Sequence, residues 1–226
     1  MSDNGAAIEE SVDSGFTADV TDHAEAYLDY HAHQLGLKKL DVLVVCNLIF
    51  HEDKVLLIKL TDAVKSWKDK IGVPLFRLLR QSEDHGLENL LNSRIDKPID
   101  DEISVDEYVR VAARTQVGVD PSRLRASKSA TALLTAVQPK DLSDSVWLRA
   151  SFLWSVEETG NVKKDGYVCS EAWWASEKEI DELGSEDFFM GLKEDLKSAF
   201  GLRKRSGSMA TRGSAELKRP VGMGGS

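Results

Sequence analysis

Two apolar segments joined by a short polar connection constrain the fold of this chain more than any other feature. Residues 42–50 and 55–60 are almost continuously apolar, and the four residues between them are polar. Two such runs with a short polar connection predict a β-hairpin. Strands without alternation between apolar and polar residues are typical of sheets that are covered on both faces. The hairpin is therefore expected to be buried on both sides.

The composition fits one folded domain with flanking segments. The chain has 226 residues, 42% of them hydrophobic. Its formal net charge of -9 disfavours nucleic acid as a partner, because an acidic chain repels phosphate backbones. Residues 1–20 show no signal-peptide pattern, and the run at 42–50 is too short to cross a bilayer. The sequence predicts a soluble intracellular protein, cytoplasmic or nuclear, with no membrane span.

The two cysteines do not indicate a disulfide framework. Cys46 lies inside the first apolar run, and Cys169 lies beside Val168. A thiol in such surroundings behaves as a small apolar group. A reducing compartment is the simpler interpretation.

Composition and periodicity divide the chain into three parts. Residues 1–20 are small, polar and acidic and predict a flexible arm. Residues 202–226 are rich in Gly, Ser and basic residues and predict a disordered tail. Residues 21–201 form the predicted domain, which includes a mainly helical insertion at about residues 61–103. Two short helices are expected within that insertion, one opened by Pro74 and carrying Leu75, Phe76, Leu78 and Leu79, and one at residues 86–91.

Local signals predict most of the other elements. Ser176 and Glu179 form a capping box that should open a short helix. A helix from Thr21 or Asp22 to Gly36, strands within 124–137, at 146–156 and at about 166–172, and a final helix at 185–201 are also expected.

The helix with the clearest boundaries is predicted at residues 105–117. Ser104 and Glu107 have the spacing of a capping box, in which the serine oxygen accepts from the third helical N–H. Gly118 suits the left-handed position that follows a helix. This helix carries the segment on which a family resemblance depends.

Three segments resemble those of the Nudix hydrolase family. Residues 42–60 resemble its opening strand pair, residues 107–119 the second half of the Nudix box, and residues 173–180 its late aromatic segment. The resemblance covers about residues 38–200. It implies an α/β fold in which a Nudix-like mixed β-sheet is sandwiched between helices, here with the helical insertion. It also implies a site where box glutamates hold Mg²⁺, which activates water.

The acidic residues of the box are missing from this chain. When the motif is anchored on Gly118 and Val119, its first glycine, its early glutamate, its Arg-Glu pair and its paired glutamates fall on Lys97, Ile103, Val111-Ala112 and Thr115-Gln116. The glycine pair expected before the box is also missing after Trp67 and Pro74. The resemblance therefore implies a degenerate Nudix box, as in a pseudoenzyme of this fold.

Other carboxylates could replace the missing ligands. Asp100, Asp101, Glu102, Asp106 and Glu107 cluster at the start of the predicted box helix. Carboxylates also favour a helix N-terminus because of capping and the helix dipole, which is the simpler interpretation. Glu102, Asp106 and Glu107 are therefore candidate metal ligands only if the site has been relocated, with Mg²⁺ as the cofactor.

Acidic residues outside this helix, at Glu171 and in the segment 156–160, are also candidates for the site. Glu171 lies where related proteins often carry a late acidic residue, so Glu107 and Glu171 are the candidate catalytic residues. Residues 156–160 resemble the core of the box, but the upstream positions do not match. That segment is expected to be the end of a strand that enters a turn.

Three hypotheses of function remain open. The leading one is a Nudix-like domain without the usual pyrophosphohydrolase activity, which binds a small molecule such as a nucleotide derivative, acts as a regulatory module or performs metal-independent chemistry. The first alternative is a hydrolase of nucleoside-diphosphate-linked substrates that uses relocated carboxylates. The second is a protein-interaction module that acts through the insertion and the basic tail. Nucleic acid is expected as a partner only through that tail.

Overall fold

The computed structural model describes residues 23–80, 95–100, 102–126, 132–137, 146–160 and 162–215, without the side chains of residues 65–66 and 206–215. The helices within this part are α1 (Ala24–Gln34), α2 (Val105–Val117), α3 (Glu177–Glu182) and α4 (Leu192–Ala215). The strands are β1 (Val42–His51), β2 (Lys54–Leu60), β3 (Ile71–Gly72), β4 (Leu75–Leu79), β5 (Asp96–Pro98), β6 (Arg125–Ala126), β7 (Leu133–Val137), β8 (Trp147–Ser155) and β9 (Cys169–Ser176).

The predicted hairpin lies at the centre of one mixed sheet. β8 pairs with β1 in parallel along nearly its whole length, from Val42 opposite Trp147 to Phe50 opposite Ser155. On its other side β1 pairs antiparallel with β4 at its start and with β2 at the hairpin end. β2 then pairs with β3 and β9, and β5 extends the sheet beyond β4. The hairpin prediction is confirmed, and other strands of the sheet flank it on both sides.

Helices cover both faces of this sheet. Asn47 of β1 donates its amide to the Val109 carbonyl of α2. Phe50 meets Phe200 of α4, with ring centroids 5.1 Å apart. Because side chains alternate along a strand, residues 47 and 50 point to opposite faces. Helices α2 and α4 therefore lie on opposite sides of the sheet.

Helix α1 shares the α2 face. Its Tyr27 ring contacts Phe152, which is the partner of Asn47 in the β1–β8 ladder. The α/β prediction of a mixed sheet between helices is confirmed. None of the helices in the described part of the chain combines the length and apolar character needed to cross a bilayer.

The prediction of a helix that begins at Pro74 is wrong. Residues 75–79 form β4, which pairs with residues 42–46 of β1. Leu75, Phe76 and Leu78 fit a short helix or a buried strand equally well, and the ladder with β1 decides for the strand. Lys97 and Pro98 belong to β5. The described part of the predicted insertion contains the 3-10 helix Asp62–Trp67 and the strands β3, β4 and β5, and the helix predicted at 86–91 lies outside the described residues.

The predicted end of the last helix is also wrong. Helix α4 continues past Gly201 to Ala215. Leu202 packs against the core, and the Arg203 guanidinium lies 4.5 Å from the centroid of the Phe50 ring. Arg203 also donates to the Glu52 carbonyl at 2.9 Å. These contacts outweigh the roughly 1 kcal/mol that a glycine costs inside a helix.

Smaller differences concern other element bounds. α1 starts at Ala24, while Thr21 and Asp22 lie outside the described residues. The segment 124–137 contains the two short strands β6 and β7 instead of one. β9 extends to Ser176, and the residues from Ser185 to Gly191 form two short 3-10 turns before α4. The capping box at Ser176 and Glu179 is confirmed.

Candidate functional site

Helix α2 has the bounds that its sequence predicts. The Ser104 hydroxyl accepts from the Glu107 backbone N–H at 3.3 Å, which is the serine half of the capping box. Gly118 closes the helix with φ of 68°, in the left-handed region that glycine enters without strain. The residues that resemble the second half of the Nudix box are therefore helical up to Val117.

Gln116 connects α2 to β4. Its Nε2 donates to the Leu75 carbonyl at 2.7 Å, and its Oε1 accepts from the Leu75 N–H at 3.1 Å. The side chain is 1% exposed, and the Cys169 thiol donates to its backbone carbonyl. Where the family motif has a glutamate, this chain has a neutral amide enclosed in the core that completes the hydrogen bonding of a strand.

The other box positions carry no acidic group. Ala112 is fully buried, and Val111 is 42% exposed. The Thr115 hydroxyl donates to the Val111 carbonyl at 2.8 Å. These side chains offer packing surface and one hydroxyl, whereas Mg²⁺ binding requires several oxygen ligands.

Asn47 of β1 anchors α2 to the sheet. It is fully buried, and its amide nitrogen donates to the Pro74 carbonyl at 3.0 Å and to the Val109 carbonyl at 3.1 Å. Its Oδ1 is buried without a hydrogen-bond partner in the described part of the structure. The polar residue that interrupts the first apolar run thus joins three segments of the chain.

The acids at the start of α2 have local roles. The Asp100 carboxylate accepts from the Glu102 N–H at 2.9 Å. Asp106 pairs with Arg110 at 2.6 Å, one helical turn away. Glu102 and Glu107 are exposed. Capping and helix pairing therefore account for Asp100 and Asp106 without a metal, and Asp101 lies outside the described residues.

Glu171 lies on another strand and has a different partner. It stands opposite Lys59 in the β2–β9 ladder, with Nζ and Oε1 3.6 Å apart. Its side chain is 61% exposed. Within the described ranges, no three His, Cys, Asp or Glu side chains converge so as to hold a metal ion. The candidate acids are thus not gathered into a metal-binding cluster in this part of the chain.

The segment that imitates the box core follows β8. β8 ends at Ser155, and residues 157–160 form a turn, as the sequence predicts. Glu158 forms an ion pair with Arg123. Both side chains line a shallow depression of about 90 Å³ beside Gly118. Its size suits a few water molecules and not a nucleotide.

A buried charged network was missed by sequence reasoning. Arg149 of β8 and Asp195 of α4 are 2% and 5% exposed, and two hydrogen bonds of 2.9 and 2.7 Å join them. Arg149 also donates to the Met190 carbonyl, and Ser151 donates to Asp195. The available signal was an arginine between Leu148 and Ala150, inside an apolar strand. The ion pair thus joins β8 to α4 inside the core.

Both thiols lie in the interior. Burial raises the pKa of Cys46, which lies beside the Arg149 network, to about 12. Burial also raises the pKa of Cys169 to about 11. The thiolate is the reactive form, so neither residue is suited to nucleophilic catalysis at neutral pH.

No model of a protein family matches the chain, and no curated protein sequence matches it. The structure is similar to solved Nudix hydrolases. A Nudix hydrolase from Nitrosomonas europaea is 13% identical, with a TM-score of 0.49, over 74% of this chain and 91% of that chain.

Two other similar solved structures are complexes. The Nudix domain of Shewanella oneidensis NrtR complexed with ADP ribose is 14% identical, with a TM-score of 0.48, over 80% of this chain and 97% of that chain. A binary complex of a C. elegans Ap4A hydrolase is 10% identical, with a TM-score of 0.48, over 75% of this chain and 98% of that chain.

Proposed function

We propose that this chain is a Nudix-like domain whose box helix serves as a scaffold. In this proposal it is not an ordinary metal-dependent pyrophosphohydrolase. It acts as a binding or regulatory module for a small molecule such as a nucleotide derivative. The observation that carries the proposal is Gln116, which is buried and hydrogen-bonded to both backbone groups of Leu75 at a position where the family motif has an acid.

The residues of α2 do not fit a Mg²⁺ site of the family kind. Mg²⁺ requires oxygen ligands in near-octahedral geometry and is usually held by carboxylates. On this helix the box positions are occupied by Val111, Ala112, Thr115 and Gln116. We therefore assign no metal-dependent step to this helix.

The relocated-site alternative depends on Glu102, Asp106, Glu107 and Glu171. Asp106 and Glu171 each pair with a basic residue. Glu102 and Glu107 are exposed, and a single exposed carboxylate binds Mg²⁺ weakly. These contacts favour the binding module over the hydrolase.

The fold also limits how the interaction-module alternative can be tested. Deleting residues 61–103 would remove β3, β4 and β5, and β4 pairs directly with the central strand. Such a deletion would unfold the sheet and could not report on binding. A partner surface in this region can instead be tested by substituting exposed side chains such as Lys68, which leaves these strands in place.

Calorimetric titration tests the proposal directly. The purified chain is titrated with Mg²⁺, and then with nucleoside-diphosphate compounds, including ADP-ribose, in the presence and absence of that metal. We expect no Mg²⁺ binding at micromolar to low-millimolar concentration, and any ligand binding to be independent of the metal.

The hydrolase alternative predicts a different result. Metal binding followed by release of phosphate products would support it and contradict the scaffold proposal. That turnover should then be lost in Glu107→Gln or Glu171→Gln. Glu182→Gln is the matched control. Glu182 is an exposed acid on α3, and its substitution removes the same charge.

A further inference from the structure

We infer that this chain forms a homodimer in which β7 pairs antiparallel with β7 of a second copy. Within the described residues, β7 pairs with no strand other than β8, and no described strand lies along its other edge. An unpaired edge presents a row of backbone N–H and C=O groups that another strand can bind.

β7 lacks the features that usually protect an edge strand. Its sequence, Leu-Leu-Thr-Ala-Val, contains no charged residue and no proline, and its ladder with β8 has no register shift. Leu134 is 42% exposed, and Ala136 is exposed beside it. Edge strands of monomeric proteins are commonly blocked by lysine, proline or a bulge. An uncharged edge of this kind, with no described strand along it, is suited to pairing with a strand.

The strand is complementary to itself, which favours a second copy as the occupant. When two β7 strands pair about Thr135, Leu134 lies opposite Ala136 and Leu133 lies opposite Val137. Two-fold symmetry repeats each of these pairs. Threonine opposite threonine and apolar opposite apolar are favourable cross-strand pairs, and no like charges meet.

Contacts on the inner side hold β7 in place. The Thr135 hydroxyl accepts from Arg149 Nη2 at 3.2 Å and donates to Asp195 Oδ1 at 3.3 Å. The buried network that positions α4 therefore also orders the middle of the edge strand. An ordered strand loses less conformational entropy on binding than a flexible one.

The expected dimer is weak. A pairing of two five-residue strands buries less surface than a standard stable interface. Association should therefore depend on concentration, and sedimentation equilibrium up to about 1 mM covers the relevant range. A wild-type chain that stays monomeric throughout this range contradicts the inference.

A charged substitution tests which surface is used. Leu134→Lys places a lysine on the edge strand in both copies. Val111→Lys on α2 is the matched control, since both residues are 42% exposed and both variants gain the same charge. Leu134→Lys should weaken dimerisation about two- to thirtyfold, from the usual size of a cross-strand pair counted twice. Equal effects of the two substitutions would point to general charge repulsion and overturn the assignment.

Oxidative cross-linking tests the register. In the proposed pairing, residue 134 faces residue 136 of the other copy with Cβ atoms about 4.5–5.5 Å apart, close to disulfide range. The double variant Leu134→Cys with Ala136→Cys should cross-link into dimers, whereas each single variant should not. The native thiols are buried and add no background. A double variant that stays monomeric, or single variants that cross-link equally well, would refute this register and the pairing that we infer.

Discussion

Replacing Gln116 by glutamate restores one acid of the Nudix box, and we expect it to destabilise the fold without creating a metal ligand. The amide donates to the Leu75 carbonyl at 2.7 Å and accepts from the Leu75 N–H at 3.1 Å. An ionised carboxylate keeps only the acceptor. It places a negative oxygen against the Leu75 carbonyl in a position that is 1% exposed.

The size of this effect follows from the lost donor and the buried charge. A buried carbonyl left without a partner costs about 1–3 kcal/mol. An uncompensated buried charge raises the total to roughly 3–5 kcal/mol. The whole stability of a domain is only about 5–15 kcal/mol, so the loss should be easy to measure.

The destabilisation of Gln116→Glu should depend on pH. A protonated carboxyl can donate to the Leu75 carbonyl as the amide does, so burial should raise the pKa of the new group in the folded state. A folded-state pKa above the unfolded value of about 4.3 gives stability that is present at low pH. That stability is lost as the pH rises through the folded-state pKa. The stability of the variant should therefore approach that of the wild type in acid and be lowest above neutral pH.

Urea unfolding followed by tryptophan fluorescence at about pH 5 and about pH 8 measures both effects. Thr115→Glu is the matched control, because Thr115 is exposed and occupies the neighbouring box position. We expect that control to change the unfolding free energy by less than about 0.5 kcal/mol. Gln116→Glu that is as stable as the control at pH 8, or that is stabilised by Mg²⁺, would contradict the structural role assigned to the Gln116 amide.

Three further predictions concern stability. Asp195→Ala should lower the unfolding free energy by about 3–5 kcal/mol because the buried charge of Arg149 loses its opposite charge, and Arg149→Met in the same chain should recover much of this loss in urea unfolding. Gly118→Ala should cost about 1–2 kcal/mol in the same measurement because φ is 68°, whereas Gly201→Ala, inside α4 and facing open space, should stabilise by about 0.5–1 kcal/mol. Burial lowers the pKa of His31 below 6.5, so the unfolded chain binds the proton first and stability should fall as the pH drops below that value. His31→Leu should remove this part of the pH dependence in thermal unfolding, and a slope that persists unchanged in the variant would assign it to another group.

Where interactions are local, the sequence predicts the structure closely. The hairpin follows from two apolar runs and a short polar connection, and β1 and β2 form it. Helix α2 begins after Ser104 and ends before Gly118 because the cap residues act on backbone groups within one helical turn. The loss of the box acids is likewise visible in the sequence, because a motif position depends on residue type and spacing alone.

Tertiary contacts decided the remaining features. The run Leu75–Leu79 suits a helix or a strand, and only the ladder with β1 selects the strand. Helix α4 passes Gly201 because Arg203 meets Phe50, a residue far away along the chain. The role of Gln116 depends on a strand 41 residues earlier, and the partner of Arg149 lies 46 residues later. Local propensities differ by only about 1 kcal/mol per residue, so burial and hydrogen bonds between distant segments override them.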